Sequence, residues 1–218
     1  MLRQAMGLGF LILAGGLTPS SAQTAPDSQG DWVKVDLTAA PANHEPGLRI
    51  LAKNVKDATA SMEAVGRTRE GIGAAGAQAT APAIKAETGF DPVRRQSEQI
   101  IIMFDAPVME TGVDVAYFFR DEGKWDGIRY HEQGGWRAYR NNMLIDEGRF
   151  LPAMTGGDHQ LIIKAKAAFD RLEMFATPYV TESGMEIEPG VITNDSSDFL
   201  IKQISYKPAG DSQNRTAP

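Results

Sequence analysis

One short stretch of the sequence carries side chains that are suited to binding a sugar. It contains Arg129, His131, Trp136 and Arg140. An indole ring packs against the C–H face of a pyranose, and arginines donate hydrogen bonds to hydroxyl groups or to the carboxylate of an acidic sugar. The four side chains therefore form a candidate ligand-binding site. The alternative is that Trp136 packs in the core and the arginines form a solvated face.

A predicted β-hairpin would bring these four side chains together. Gly134 and Gly135 lie between two segments of alternating polarity, and Gly-Gly is a favoured two-residue hairpin loop because glycine adopts positive φ at no steric cost. In this register Glu132 lies opposite Arg137, and such an ion pair stabilises a sheet by about 0.2–1 kcal/mol. Alternation along both strands then places the four candidate residues on one face of the hairpin.

A dense run of oxygen-bearing side chains near the C-terminus is a candidate calcium site. The run is Asn194-Asp195-Ser196-Ser197-Asp198, and Asp195 and Asp198 are the candidate ligands. Ca²⁺ prefers carboxylate, amide and carbonyl oxygens as ligands. The alternative is a turn in which one of these carboxylates accepts a backbone N–H. The calcium-loop consensus D-x-[DN]-x-[DN]-G is absent.

Other cofactors and catalytic groups have less support. The chain has no cysteine, which excludes disulfides, Cys-ligated zinc and thiol nucleophiles, and its three histidines are His44, His131 and His159. No G-x-S-x-G, S-x-x-K or H-E-x-x-H motif occurs. Paired carboxylates could serve a glycosidase, although solvated faces carry such pairs as well. The pairs are Glu186 with Glu188, Asp121 with Glu122, and Asp146 with Glu147.

These residues would be positioned by β-strands. Apolar and polar residues alternate in Trp32–Leu37, His159–Lys166 and Asp198–Tyr206, as they do in strands with one buried face. Glu98–Phe104 is an apolar run typical of a strand buried on both faces, and Gly112–Phe119 is a further strand. Turn signals recur between strands, and no long helical pattern alternates with them. The pattern predicts an all-β fold, an antiparallel β-sandwich of jelly-roll type.

Four other segments carry weaker patterns. Asp105–Pro107 is expected to turn the chain, and the Gly/Ala-rich segment Gly66–Ala81 is expected to be a loop. Phe169–Ala176 fits either a strand or a short helix. A helix bounded by prolines is compatible with Ile84–Ser97.

The first 22 residues have the composition of a secretory signal peptide. Arg3 precedes the apolar run Met6–Leu17, and small residues precede a cleavage site before Gln23. A bilayer-spanning helix needs about 20 apolar residues, so the pattern predicts cleavage rather than a retained anchor. A flexible leader (23–30), one domain (31–208) and a disordered tail (209–218) are expected to follow. The protein is therefore expected in the periplasm or outside the cell.

The charge balance argues against nucleic acid as a partner. The chain has 22 Lys and Arg against 28 Asp and Glu, a net charge of −6, whereas binding phosphates needs a basic surface. No segment after the signal peptide is apolar enough to span a membrane, and a monomer is expected by default. A polysaccharide or another cell-envelope component is the expected partner.

Several short motifs follow one another in a characteristic order. Gly71-Ile72-Gly73 is followed by Glu98–Phe104 and Val113–Phe119, and Phe169–Ala176 precedes Ser196–Ile201. This order resembles the β-sandwich ectodomains of exported bacterial surface proteins of the exosortase-sorted (PEP-CTERM) kind, and it is similar to jelly-roll carbohydrate-binding modules. The resemblance implies an extracytoplasmic β-sandwich in an exopolysaccharide setting and supplies no catalytic residues. The chain departs from it in ending with AGDSQNRTAP, without a Pro-Glu-Pro motif, a membrane helix or a basic end.

Together these patterns predict an exported, non-catalytic β-sandwich that binds glycan or another component of the cell envelope. Two alternatives remain open, a polysaccharide hydrolase or lyase and a structural matrix protein without a small ligand. An exposed tryptophan on a flat face would favour the binding protein. A cleft holding two carboxyl groups about 5–10 Å apart would favour the enzyme.

Overall fold

The computed structural model describes residues 32–38, 44–45, 47–56, 59–75, 86–153, 156–192 and 196–209. These residues form thirteen β-strands and no helix, which confirms the predicted all-β fold. The expected signal peptide, the leader, Asp195 and residues 210–218 lie outside the described residues. Within the described part there is no helix with the length and apolarity that crossing a membrane requires.

Two long strands dominate the fold. β8 has 18 residues and β12 has 23, whereas a typical strand has about five or six. In chain order the strands are β1 (Val33–Asp36), β2 (His44–Glu45), β3 (Leu48–Lys53), β4 (Val65–Arg67), β5 (Ile72–Ala74), β6 (Thr88–Asp91), β7 (Gln96–Ser97), β8 (Gln99–Ala116), β9 (Gly123–Trp125), β10 (Ile128–Arg140), β11 (Met143–Phe150), β12 (His159–Thr181) and β13 (Asp198–Pro208).

The strands pair antiparallel in one sheet that folds over into a sandwich. β8 and β12 pair along most of their length, with breaks in register between Lys164 and Arg171. On its other edge β8 pairs first with β3, through Gln99–Phe104, and then with β13, through 108–116. The first layer therefore contains β2, β3, β10, β11 and one half of β8 and of β12. The second layer contains β13, β1, β5, β4 and the other halves.

The core lies between these two layers. Phe118, which follows β8, is fully buried, and its ring centroid lies 5.1 Å from Phe150 of β11 and 6.1 Å from Phe199 of β13. Phe104 packs in the same core against Phe169 and Tyr206, at 5.9 and 5.2 Å. Each fully buried phenylalanine stabilises the fold by about 1.5–3 kcal/mol. The aromatic contacts thus join strands of both layers into one core.

Burial alternates along β3 as expected for a strand with one buried face. Leu48, Ile50 and Ala52 are fully buried, whereas Arg49 is exposed. Phe169–Ala176 lies within β12, so the strand interpretation of this segment is confirmed and the helix alternative is wrong.

The predicted hairpin at Gly134-Gly135 is wrong. Both glycines lie inside β10, which pairs with β11 on one edge and with β12 on the other. An aromatic ring occupies the place where each side chain would stand, Phe150 at Gly134 and Phe175 at Gly135. The two glycines therefore make room for rings, and the strand continues through them.

The chain turns instead at two other pairs of residues. Asp126 and Gly127, with φ of 49° and 79°, connect β9 to β10. Asn141 and Asn142, with φ of 50° and 64°, connect β10 to β11. Two consecutive residues with positive φ are typical of the type I′ turn, whose twist matches that of the paired strands.

Three further expectations are corrected by the structure. Asp105–Pro107 does not end a strand, because β8 continues through it. The segment expected to be a loop contains β5, in which Gly73 lies so close to the backbone of Ala86 that no side chain would fit. The described part of Ile84–Ser97 contains β6 and β7 and no helix.

Candidate functional site

The structure does not bring the four predicted glycan-binding residues together. Because β10 runs without a turn, alternation places Arg129 and His131 on one face of the strand and Trp136 and Arg140 on the other. Arg129 is exposed and forms an ion pair with Asp121 at 2.9 Å. Arg140 is exposed at the end of β10.

Trp136 and His131 are both engaged inside the protein. Trp136 is partly buried, packs against the core and covers Gly148. His131 is 4% exposed, and its Nδ1 accepts the backbone N–H of Asp121 at 3.1 Å. Burial lowers the pKa of His131, and the neighbouring Arg120 lowers it further. The imidazole is therefore neutral near pH 7, and a cationic binding role for it has no support.

Of the two candidate calcium ligands, Asp195 lies outside the described residues. Asp198 begins β13 and is buried, and its backbone N–H donates to Oε1 of Glu132 at 3.0 Å. No group of three or more His, Asp or Glu side chains in the described ranges is arranged to hold a metal ion.

Most of the carboxylates that are paired in the sequence form ion pairs at the surface. The pairs are Asp121 with Arg129 at 2.9 Å, Glu186 with Arg149 at 2.5 Å, Asp146 with Lys166 at 2.8 Å, and Glu147 with Arg137 at 3.3 Å. The hydrogen bond from Lys166 lowers the pKa of Asp146. Exposed ion pairs of this kind contribute about 0–1 kcal/mol each, so these carboxylates resemble a solvated face more than a catalytic pair.

Sequence reasoning missed several buried carboxyl groups, of which Glu132 and Glu98 are the least exposed. Glu132 is 2% exposed and accepts hydrogen bonds from the backbone N–H groups of Phe119 and Asp198. Burial, and next the Asp198 carboxylate, raise the pKa of Glu132 well above its ordinary value. Glu98 is 1% exposed and accepts the N–H of Gly89 at 3.1 Å, and burial raises the pKa of Glu98 to about 7. Both groups are enclosed, so they serve the fold rather than a ligand.

An open groove lies on the second layer where β8, β12 and β13 meet. It consists of two adjoining depressions of about 360 and 400 Å³ that share Asp158 and Lys202. These two side chains form an ion pair at 2.7 Å. We call this feature the polar groove. Its polar side chains include Arg69, Glu70, Asp114, Asp158, Gln160 and Lys202.

The Asp114 side chain in this groove is held by two amides. Strand pairing places Gln160 of β12 and Gln203 of β13 on either side of Asp114. Their Nε2 atoms donate to Oδ1 and Oδ2 of Asp114 at 3.0 and 3.1 Å. Each amide also has a second N–H and a carbonyl oxygen. The row of three planar groups can therefore donate to and accept from neighbouring hydroxyls of one ligand.

Two aromatic rings lie at one end of the groove. Tyr117 lines the groove, and its ring lies 6.4 Å from that of Phe119, which is 36% exposed. Phe119 packs on Gly157, where an added Cβ would lie 2.9 Å from the ring. Tyr117 has φ of 57°, a left-handed conformation that costs a non-glycine residue about 1–2 kcal/mol. Backbone outliers of this kind concentrate at functional sites.

Glu132 links Phe119, at the aromatic end of the groove, to strand β10. Its side chain accepts the N–H of Phe119, and its own N–H donates to the carbonyl oxygen of Phe119 at 3.2 Å. Both backbone groups of Phe119 are therefore fixed by one buried residue of β10. This anchoring holds an exposed aromatic ring in place without burying it.

No local sequence signal could have identified the polar groove. Its side chains come from three strands and from four segments between strands, and the groove exists only after those strands pair. Alternation places Gln160 on an outward face, but it does not indicate that Asp114 and Gln203 are its neighbours.

Comparison with known proteins gives no family assignment, because no protein-family model matches the chain and no curated protein is significantly similar to it. The chemistry of the polar groove is therefore inferred from its side chains.

Proposed function

We propose that this protein is an exported, non-catalytic β-sandwich that binds a glycan in the polar groove. One observation supports the proposal: Asp114 and Gln160, with Gln203 hydrogen-bonded beside them, adjoin the half-buried ring of Tyr117 along the same groove, and the exposed ring of Phe119 packs next to Tyr117. Planar amides and carboxylates suit sugar hydroxyls, and aromatic rings suit the C–H face of a pyranose.

The charges in the groove favour a neutral or weakly charged glycan. Asp114, Asp158 and Glu70 contribute three carboxylates, and Lys202 and Arg69 contribute two cations. A strongly anionic polymer would meet a slight excess of negative charge and be repelled. Each depression is near the lower end of the range of about 300–1,000 Å³ that holds small ligands, so two adjoining sugar residues would fit.

Retention on soluble polysaccharides, measured by affinity electrophoresis of the protein against a panel of bacterial and plant glycans, tests the proposal. Phe119→Ala and Gln160→Ala should each weaken retention about tenfold, since a lost ring contact or hydrogen-bond pair costs ~1–2 kcal/mol. Met143→Ala is the matched control, because Met143 is 66% exposed on β11 of the first layer. Retention on none of the glycans would contradict the proposal.

A second pair of variants separates the polar groove from the site predicted on β10. Arg129 and Arg140 are exposed, so Arg129→Ala and Arg140→Ala should leave the fold intact and leave glycan retention unchanged. If these two variants lose retention while the groove variants keep it, the ligand binds at β10 and the assignment to the groove is wrong.

The same panel distinguishes binding from catalysis. Asp114 and Asp158 both line the groove, so a polysaccharide hydrolase or lyase is the alternative function. The binding function predicts that no new reducing ends or unsaturated products accumulate during long incubations with the retained glycan. Products that form with the wild type and disappear with Asp158→Asn would replace the binding function by catalysis.

Export is part of the proposal and has its own test. The full chain, expressed in a bacterium and released by osmotic shock, should have an N-terminal sequence that begins at Gln23. Recovery from the cytosol with residues 1–22 still attached would contradict export and would leave the glycan-binding test unaffected.

A further inference from the structure

A second pocket lies at the opposite end of β8 from the polar groove. It has a volume of about 360 Å³, and its polar lining consists of Lys53, Asn54, Lys56, Gln96, Ser97 and Gln99. None of the described side chains that line it is acidic, although the chain as a whole has a net charge of −6. We call it the lysine–amide pocket.

The local fold brings these side chains together from three short elements. Lys53 ends β3 and pairs across the sheet with Gln99 at the start of β8. After Lys53 the chain turns, and Asn54 Oδ1 accepts the backbone N–H of Lys56 at 2.8 Å, which fixes the turn. Gln96 lines the pocket from β7. Both lysines therefore line one pocket.

Among the residues that the structure describes, the acidic residue nearest in sequence to this pocket is enclosed beneath it, whereas Asp57 lies outside the described residues. Glu98 lies between two lining residues, but it is 1% exposed and its Oε2 accepts the N–H of Gly89 at 3.1 Å. Ser97 donates its hydroxyl hydrogen to the carbonyl oxygen of Glu98 at 2.7 Å. The pocket thus presents two ammonium groups and three amides without a carboxylate among its lining side chains.

We infer that the lysine–amide pocket binds a monosaccharide-sized organic anion, a sugar that carries a carboxylate, sulfate or phosphate group. Ammonium groups form charge-assisted hydrogen bonds to such oxyanions, which are roughly twice as strong as neutral ones. The amides supply donors and acceptors for hydroxyl groups around the anion. The volume lies near the lower end of the ~300–1,000 Å³ typical of ligand sites, which suits one sugar ring. This site is separate from the polar groove and does not depend on its function.

Isothermal titration calorimetry with D-glucuronate, D-glucose 6-phosphate and D-glucose tests the inference on the wild-type protein. At least one of the two acidic sugars should bind saturably and at least about tenfold more tightly than glucose, because its oxyanion adds charge-assisted hydrogen bonds that glucose cannot make. Preference between the acidic sugars identifies the anion. No saturable binding of either acidic sugar at millimolar concentration, or equal binding of glucose, overturns the inference.

Two variants and one control locate the site. Lys53→Gln and Lys56→Gln should each weaken the binding of the acidic sugar about fivefold to tenfold, and the double variant should abolish it. Lys124→Gln on β9, which also removes one exposed lysine, should bind like the wild type. Far-UV circular dichroism confirms that each variant is folded. Full affinity in the folded double variant places the anion elsewhere and overturns the assignment, whatever the outcome for Phe119→Ala in the polar groove.

Discussion

Glu98 is a single residue that couples the stability of the fold to pH. Its carboxyl group is 1% exposed and has one hydrogen bond, from the N–H of Gly89. Burial raises its pKa most, the negative charge of Asp91 also raises it, and the Gly89 hydrogen bond and Lys56 oppose the shift, so that the pKa lies at about 7 instead of 4.5. The folded protein therefore holds a proton here that the unfolded chain would release.

Glu98→Gln should flatten the dependence of stability on pH. Because the folded pKa of Glu98 is the higher one, its contribution is fully present below pH 4.5 and is lost as the pH rises through about 7. The loss amounts to roughly 3 kcal/mol for the wild type. The amide cannot ionise, so the variant should be more stable than the wild type at pH 8 and similar at pH 4.5. Urea unfolding at several pH values measures this, and parallel curves for the two proteins would contradict it.

Gly134 is a second single residue at which a substitution should change the stability of the fold. An added Cβ would collide with the ring of Phe150, which itself contacts Phe118 and Phe199 in the core. Gly134→Ala should therefore lower the free energy of unfolding by about 1–3 kcal/mol, the usual cost of overpacking. Gly156→Ala is the control, since nothing lies within 4 Å of an added Cβ there, and it should change stability by less than about 0.5 kcal/mol. Chemical denaturation measures both, and equal stabilities would refute the packing role.

Individual residues show which properties could be predicted from the sequence and which could not. Residue type left two roles open for Trp136, packing in the core or binding a sugar, and the structure places it against the core. Alternation gave no indication that Glu132 is buried, because its burial depends on Phe119 and Asp198, which come from distant parts of the chain. Side-chain chemistry was therefore visible in the sequence, whereas the surroundings that decide its role were not.

At the scale of elements, strands were predictable and their ends were not. The alternation in Trp32–Leu37 and Asp198–Tyr206 corresponds to β1 and β13. A Gly-Gly pair, however, suits a tight turn and also suits a strand position beside an aromatic ring. The sequence around Gly134-Gly135 therefore predicts a loop where the strand in fact continues. The actual turn at Asn141-Asn142 is equally compatible with the type I′ rule, but only the pairing of Arg140 with Met143 reveals it.

The Asn141-Asn142 turn should tolerate glycine and resist branched residues. Asn141 has φ of 50°, and its backbone N–H donates to Oδ2 of Asp170 at 3.0 Å, a bond that any residue except proline could make. Asn141→Val should destabilise the fold by about 1–2 kcal/mol because of the left-handed conformation. Asn141→Gly should stay within about 0.5 kcal/mol of the wild type. Thermal unfolding of the three proteins measures this, and an unaffected Asn141→Val would show that the turn has another conformation in solution.

At the scale of the whole molecule, one core joins the two layers. Side chains from nearly every long strand contribute to it, including Phe104, Phe118, Phe150, Phe169 and Phe199. The short segments of alternating apolar and polar residues predicted such a sandwich, and that prediction is confirmed. It could not predict the polar groove or the lysine–amide pocket, because both form between segments that only the folded sheet makes neighbours.

This shared core predicts a single cooperative unfolding transition. Trp136 packs against the main core, whereas Trp125 packs with the smaller cluster around Tyr130 and Tyr179. If both clusters unfold together, tryptophan fluorescence and far-UV circular dichroism should give the same denaturant midpoint. Trp125→Phe and Trp136→Phe allow each cluster to be followed separately. If the denaturant midpoints of the two variants differ by more than the effect of each substitution on stability explains, the two clusters unfold as independent units.

The passage of β8 and β12 through both layers has a consequence for dissecting the chain. Each layer takes half of each of these two strands, and their continuous backbone crosses the fold at Asp105–Pro107 and near 165–170. A fragment that ends within β8 or β12 therefore cannot contain all the strands of either layer. Splitting the gene at these crossings should therefore give two insoluble halves, whereas a break at Asn141-Asn142 leaves every ladder intact and should allow the halves to reassemble.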